Sequence, residues 1–258
     1  MHPRCRSTTI EALSPELMKK LERRARDPET GELRTVPADM TYREWYGKYV
    51  GGGELTGGGE SGIIKPITIE AINECASDEV LSKECKTTIY ETLKSQGTLR
   101  DYDEVKIVRI PPDKDGRIEV LRTNAESSPG YPKVTLEINE AALGGMSKEI
   151  VDEMFRLDNY TAAMSLEEAI IHECGHAKVL RGKTYAQYEA EDEILKGDAF
   201  TNPIKGREDK KSLKDLAGKV SEYAQKDGME CIAECHVIIS RGGSIPSDLK
   251  ALYDKYIS

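Results

Sequence analysis

The sequence predicts an α+β fold in which a small sheet precedes a run of helices. Three observations carry that prediction. β-rich runs fall only in the middle of the chain, at 104–110, 117–123 and Lys133–Asn139; the last alternates Val134, Leu136 and Ile138 with polar residues, the period of a half-buried strand. From Ser147 onward, apolar residues recur at helical spacing behind capping residues. The 258 residues are 38% hydrophobic and 32% charged, enough for a core and too apolar for a wholly disordered chain. No apolar run approaches the 18 or so residues of a membrane span, and no secretory segment follows Met1.

Each element has its own warrant. Ser14-Pro15-Glu16 combines an N-cap, an N1 proline and an acidic first turn, and predicts a short basic helix to about Arg26. Asp27-Pro28-Glu29-Thr30-Gly31 reads as a turn. Residues 40–50 place Tyr42 four before Tyr46 and Trp45 four before Tyr49, a helix with an aromatic face. The glycine-rich stretch within 51–65 reads as a linker. It is no phosphate loop, because Gly62 is followed by Ile63-Ile64-Lys65 and not by Lys-Ser/Thr.

Beyond the linker, Ser77 caps a helical pattern to about Gln96. Asp115-Gly116 marks a turn between the first two β-rich runs, which Pro111 and Pro112 lengthen. Helices follow at 147–157 and 165–180, the second opened by a capping box of Ser165 and Glu168. Residues 182–207 are acidic and weakly patterned. Further helices are predicted at 211–225, 229–240 and 246–256. The domains expected are 1–50, the linker 51–65, and a main domain 66–258.

Charge narrows the function. The formal net charge is −9, but residues 1–50 hold 10 Lys/Arg against 8 Asp/Glu while the rest hold 27 against 38. So acidic a main domain argues against a nucleic-acid groove. Six scattered cysteines without an export signal point to reduced thiols.

The chemistry concentrates at His172-Glu173-Cys174-Gly175-His176. On a helix, positions i and i+4 stack two imidazoles on one face, so both reach a single metal ion. Glu173 projects beside them, able to take a proton from a metal-bound water. Two of the chain's four histidines lie in this motif. A catalytic zinc needs a third protein ligand. Glu230-Cys231-Ile232-Ala233-Glu234 offers two carboxylates at i and i+4, one for the metal and one to orient a histidine through its far nitrogen. The phenol of Tyr223, seven residues before Glu230, is a candidate donor to a developing oxyanion.

These motifs together resemble the gluzincin metallopeptidases, most closely the anthrax lethal factor type, over roughly 165–240. The resemblance implies a zincin-like domain, one catalytic Zn²⁺ held by His172, His176 and Glu230, Glu173 as general base, Tyr223 as oxyanion donor and Glu234 supporting a histidine. Cys231 and Cys235 stand where that type carries apolar residues or alanine. At the front, His2-Pro3-Arg4-Cys5-Arg6-Ser7-Thr8-Thr9 and Met40-Thr41-Tyr42-Arg43-Glu44-Trp45-Tyr46 resemble the end of phage Mu F-like minor head proteins. That implies a capsid-module remnant joined to the metallopeptidase-like domain.

The leading expectation is a zinc endopeptidase acting on a protein or peptide, with Lys133–Asn139 as the edge strand that holds substrate extended. It would be virion-associated or in the bacterial cytoplasm, not exported by a signal peptide, with phage capsid or portal proteins as partners and neither nucleic acid nor membrane. The competing expectation is a non-catalytic zincin-like module of a capsid protein. A third, a structural zinc site of Cys174, Cys231, Cys235 and His236, has the weaker spacing, and buried thiols account for those cysteines.

Overall fold

A computed structural model describes residues 22–26, 33–37, 66–114, 116–128 and 131–257. The chain divides into two compact units, Met1–Ile63 and Ile64–Ser258.

In the first unit, β1 (Glu22–Arg26) pairs antiparallel with β2 (Leu33–Pro37), in register from Glu22↔Pro37 to Arg26↔Leu33. This corrects the end of the predicted basic helix. That prediction rested on a cap at Ser14 and on no apolar periodicity, and cross-strand pairing with the β-branched Thr35 and Val36 wins. The turn at 27–31, the aromatic helix of 40–50 and the 51–65 linker fall outside the described residues.

The second unit opens with α1 (Ile69–Cys75), whose cap Thr68 accepts from Ala71 N–H, and α2 (Lys83–Ser95), capped by Ser82 through Cys85 N–H. Ser77 is therefore not the cap; its carbonyl closes a turn onto Val80 and Leu81. Strands β3 (Glu104–Val108), β4 (Leu121–Glu126) and β5 (Lys133–Asn139) form a sheet ordered β3-β5-β4, with β5 parallel to β3 and antiparallel to β4. Two expectations change. The first two strands form no hairpin, because β5 inserts between them. And β5 is a central, almost wholly buried strand instead of a half-buried edge. Its polar positions are buried with partners: Glu137 accepts from Arg122 and Asn124, and Asn139 bonds the backbones of Ile110 and Glu119.

Helices α3 (Glu140–Leu143), α4 (Lys148–Leu157) and α5 (Leu166–Leu180) follow, α5 capped by Ser165 as predicted. The segment read as weakly patterned contains α6 (Tyr185–Lys196) and α7 (Asp198–Thr201); a capping box of Thr184 and Gln187 opens α6. The helix expected over 211–225 stops early. Only α8 (Leu213–Ala217) is α-helical, and after Gly218 the chain bends into a 3-10 turn, Tyr223–Gln225. Then come α9 (Gly228–Ser240) and α10 (Ser247–Ile257). No helix among the described residues is long and apolar enough to cross a membrane.

The unit is α+β, with α5 at its centre. One face of α5 (Leu166, Ile170, Cys174, Ala177) joins a core with Ile72, Ile89, Leu93, Leu136 and Ile138. A second core gathers Leu195, Phe200, Leu216, Met229, Ile232 and Leu249, with Val179 from α5. Helix α9 lies against α5 so closely that a Cβ on Gly175 would stand 3.0 Å from Ala233 Cα. A glycine at this crossing is what lets the residues of the two helices share one site.

Candidate metal centre

The α5 spacing does what a helix dictates. His172 and His176 stack edge to face, ring centroids 4.9 Å apart, with their Nε2 atoms 3.1 Å from each other. Glu230 comes from the first turn of α9, where the Asp227 side chain accepts the Glu230 N–H at 2.9 Å and sets the start of the helix. Its Oε2 lies 3.2 Å from His172 Nε2 and 3.1 Å from His176 Nε2. Three donor atoms thus form a nearly equilateral triangle. Tetrahedral zinc with bonds of about 2.0–2.2 Å needs donors about 3.3–3.6 Å apart, within a few tenths of an ångström of this arrangement. Two imidazole nitrogens aimed at one point beside a carboxylate oxygen repel unless a cation or a shared proton lies between them, so the donor set suits a metal ion. Among the described residues this is the one group of three or more His, Cys, Asp or Glu whose ligand atoms converge.

Glu234, fully buried one turn further along α9, accepts from His172 Nδ1 at 2.7 Å. That bond presents the other nitrogen, Nε2, to the triangle. The second Glu234 oxygen accepts from Ala162 N–H at 2.5 Å and Ser221 Oγ at 2.6 Å, so the buried charge is fully satisfied. Burial opposes charge on His172, but the hydrogen bonds its ring donates to Glu230 and Glu234 outweigh it and hold the imidazolium well above its ordinary range. Burial likewise pushes Glu230 up, and the charges of His176 and His172 prevail, drawing its carboxyl well below the usual value.

Glu173 reaches across to the sheet. Its Oε2 accepts the Thr123 N–H at 2.5 Å, and its own carbonyl accepts the Thr123 hydroxyl. Tyr223 Oη donates to Glu230 Oε1 at 2.9 Å, with its ring 5.8 Å from that of His172. Burial and then the Glu230 charge push the phenol far above its usual range, so it stays a donor. All six residues singled out from the sequence therefore meet in one place.

They line a cleft of about 920 Å³ whose wall includes residues 117–123, Tyr160, Tyr188 and Lys226. The strand flanking it is β4. The Asn139 N–H bonds the Val120 carbonyl, so alternate β4 residues face β5 while Leu121 and Thr123 turn their peptide groups to the open side. Glu173 has taken the Thr123 N–H. The expectation that β5 is the edge is thus corrected in favour of β4.

Sequence reasoning missed Thr123, Ala162, Ser221 and Lys226, whose Nζ lies 2.9 Å from Glu230 Oε1. It missed Tyr160 too, packed 5.3 Å from the Tyr223 ring beneath the Arg117 guanidinium. The cysteine site does not assemble. Cys174 bonds Thr98 and burial pushes its thiol up to about 12, while His236 bonds Tyr253. No protein-family model matches the chain, and no curated protein or solved structure is similar to it at a significant level.

Proposed function

We propose that the chain is a zinc-dependent endopeptidase of gluzincin type, its second unit a zincin-like domain. The observation that carries this is the convergence of His172, His176 and Glu230 at 3.1–3.2 Å with Glu173 and Tyr223 flanking the same cleft. Two imidazoles and one carboxylate form a catalytic zinc set that leaves a position open; the hard cations Mg²⁺ and Ca²⁺ prefer oxygen donors throughout.

The metal, when bound, supplies Lewis acidity that polarises a carbonyl and makes water a better nucleophile at neutral pH. The protein's own groups do the rest. Glu173, anchored by the Thr123 N–H through one oxygen, has its other oxygen to accept a proton from the attacking water and deliver it to the leaving amine. Tyr223 donates its hydroxyl to the oxygen on which charge develops. Glu234 keeps His172 in one tautomer and one orientation. The open side of β4 around Leu121 offers peptide groups to an extended substrate, and the cleft has room for several side chains.

The test is Glu173→Gln beside the wild type, with metal content measured by plasma mass spectrometry. Both should hold about one zinc per chain, and the substitution should lower kcat by at least about 100-fold on a cleaved peptide. Full activity in the Gln variant would sink the mechanism. Zinc without cleavage of any peptide library would leave the non-catalytic module, and iron in place of zinc would redirect the assignment to a different chemistry.

A further inference from the structure

We propose that Lys226 is a positioning residue that holds the carboxylate ligand while Tyr223 turns to the substrate, a role that rests on the peptidase reading above. Glu230 splits its two oxygens between two tasks. Oε2 faces both imidazoles, whereas Oε1 accepts from Tyr223 Oη and from Lys226 Nζ, each at 2.9 Å. The triangle closes, because Lys226 Nζ also stands 3.2 Å from Tyr223 Oη and 4.9 Å from the tyrosine ring centroid. Local geometry produces this. The 3-10 turn ends at Gln225, α9 starts at Gly228 under the Asp227 cap, and Lys226 between them sits three residues after Tyr223 and four before Glu230.

A tyrosine that stabilises an oxyanion has to leave its resting acceptor. If its hydroxyl were the sole donor to Oε1, that move would strip a half-buried carboxylate oxygen of its partner at the moment of reaction. The ammonium of Lys226 has three hydrogens. One satisfies Oε1 throughout. Another reaches the phenol oxygen, and a phenol that accepts from a cation donates its own proton more strongly. Lys226 is half exposed, so this contact is not forced by burial, and its one ion pair within 4 Å among the described residues is with Glu230.

The test uses the zinc-loaded protein with Lys226→Met, Lys226→Arg, Tyr223→Phe and the Tyr223→Phe/Lys226→Met double variant. Peptide kinetics and zinc affinity by chelator competition are both read. Lys226→Met should lower kcat by about tenfold or more with KM within about twofold, and Lys226→Arg should return kcat to within about threefold of wild type. The double variant, its Oε1 bare, should bind zinc at least about tenfold more weakly than the product of the single effects. An unchanged kcat, or a loss that arginine leaves unrestored, overturns the proposal. Should the wild type hold zinc and cleave nothing, the peptidase reading falls on its own; the chelator arm still judges Lys226, and strictly multiplicative affinities overturn it.

Discussion

His172 and His236 are both buried where α5 meets α9, yet their surroundings have opposite sign. His172, 7% exposed, faces Glu230 and Glu234, which hold its imidazolium above the ordinary range. His236, 4% exposed, bonds Tyr253 through Nδ1 at 2.8 Å, while the Lys178 ammonium donates to Nε2 at 3.0 Å and to Gln96 Oε1 at 3.1 Å. Burial, then the charges of Lys178 and His172, push His236 down to about 3. Equal burial therefore decides nothing about what a histidine does. The charge delivered by the facing helix decides it, and the helix pair has a carboxylate end fit for a cation and a lysine end that locks a neutral ring as a packing element.

The sharpest way to break that contrast is Glu234→Ala. It removes the 2.7 Å bond that orients His172 and strands the Ala162 N–H and Ser221 hydroxyl in the interior. Zinc affinity should fall about 10- to 100-fold. Stability of the metal-free protein should fall by about 3–5 kcal/mol, the cost of breaking a buried charged pair from one side. Chelator competition and urea unfolding read the two effects. A Glu234→Ala protein that binds zinc as wild type does would show that His172 needs no carboxylate behind it.

Gly175→Val attacks the contact both histidine environments share. A Cβ there would lie 3.0 Å from Ala233 Cα and 3.3 Å from both Ala233 Cβ and His236 Cβ. The backbone of α9 cannot swing aside as a flexible side chain does, so the helices must separate. Overpacking of this kind costs about 1–3 kcal/mol, and a β-branched residue at the crossing belongs at the upper end. Because Glu230 rides on α9, the same displacement should open the donor triangle, and zinc affinity should drop along with the midpoint of urea unfolding. Lost stability with unchanged affinity would mean that Glu230 follows the histidines independently of this crossing.

What was legible in the sequence was local. The spacing of His172 to His176 and of Glu230 to Glu234 is a property of single helices, and Ser165 marks the start of α5, so those residues and that boundary could be read directly. What lay hidden is carried by distant pairings. Thr123 reaches Glu173 across 50 residues and Ala162 reaches Glu234 across 72, and no periodicity encodes either. The insertion of β5 between β3 and β4 is of the same kind: alternation in β5 suggested one wet face, but a central strand buries both and pairs its polar side chains instead. Lys226 and Ser221 were near enough in sequence to be noticed. As ordinary surface residue types beside a turn, they gave no signal until the side chains were placed.

The smallest expected effect isolates the neutral histidine. Because folding depresses His236 from an ordinary value near 6.5 to about 3, the unfolded chain takes up a proton that the folded one refuses throughout that window. The stability that His236 contributes is thus whole above pH 6.5 and is lost as pH falls toward 3, at about 1.4 kcal/mol per pH unit. Replacing it with glutamine removes the titration and keeps a polar group near Tyr253. Urea unfolding of the metal-free proteins at pH 7, 6 and 5 should therefore show wild type losing stability faster than His236→Gln over the lower step, with other titrations cancelling in the difference. Parallel slopes would mean that a proton enters the His236 site in the folded state, and that Lys178 does not keep the lysine end of the helix pair closed to charge.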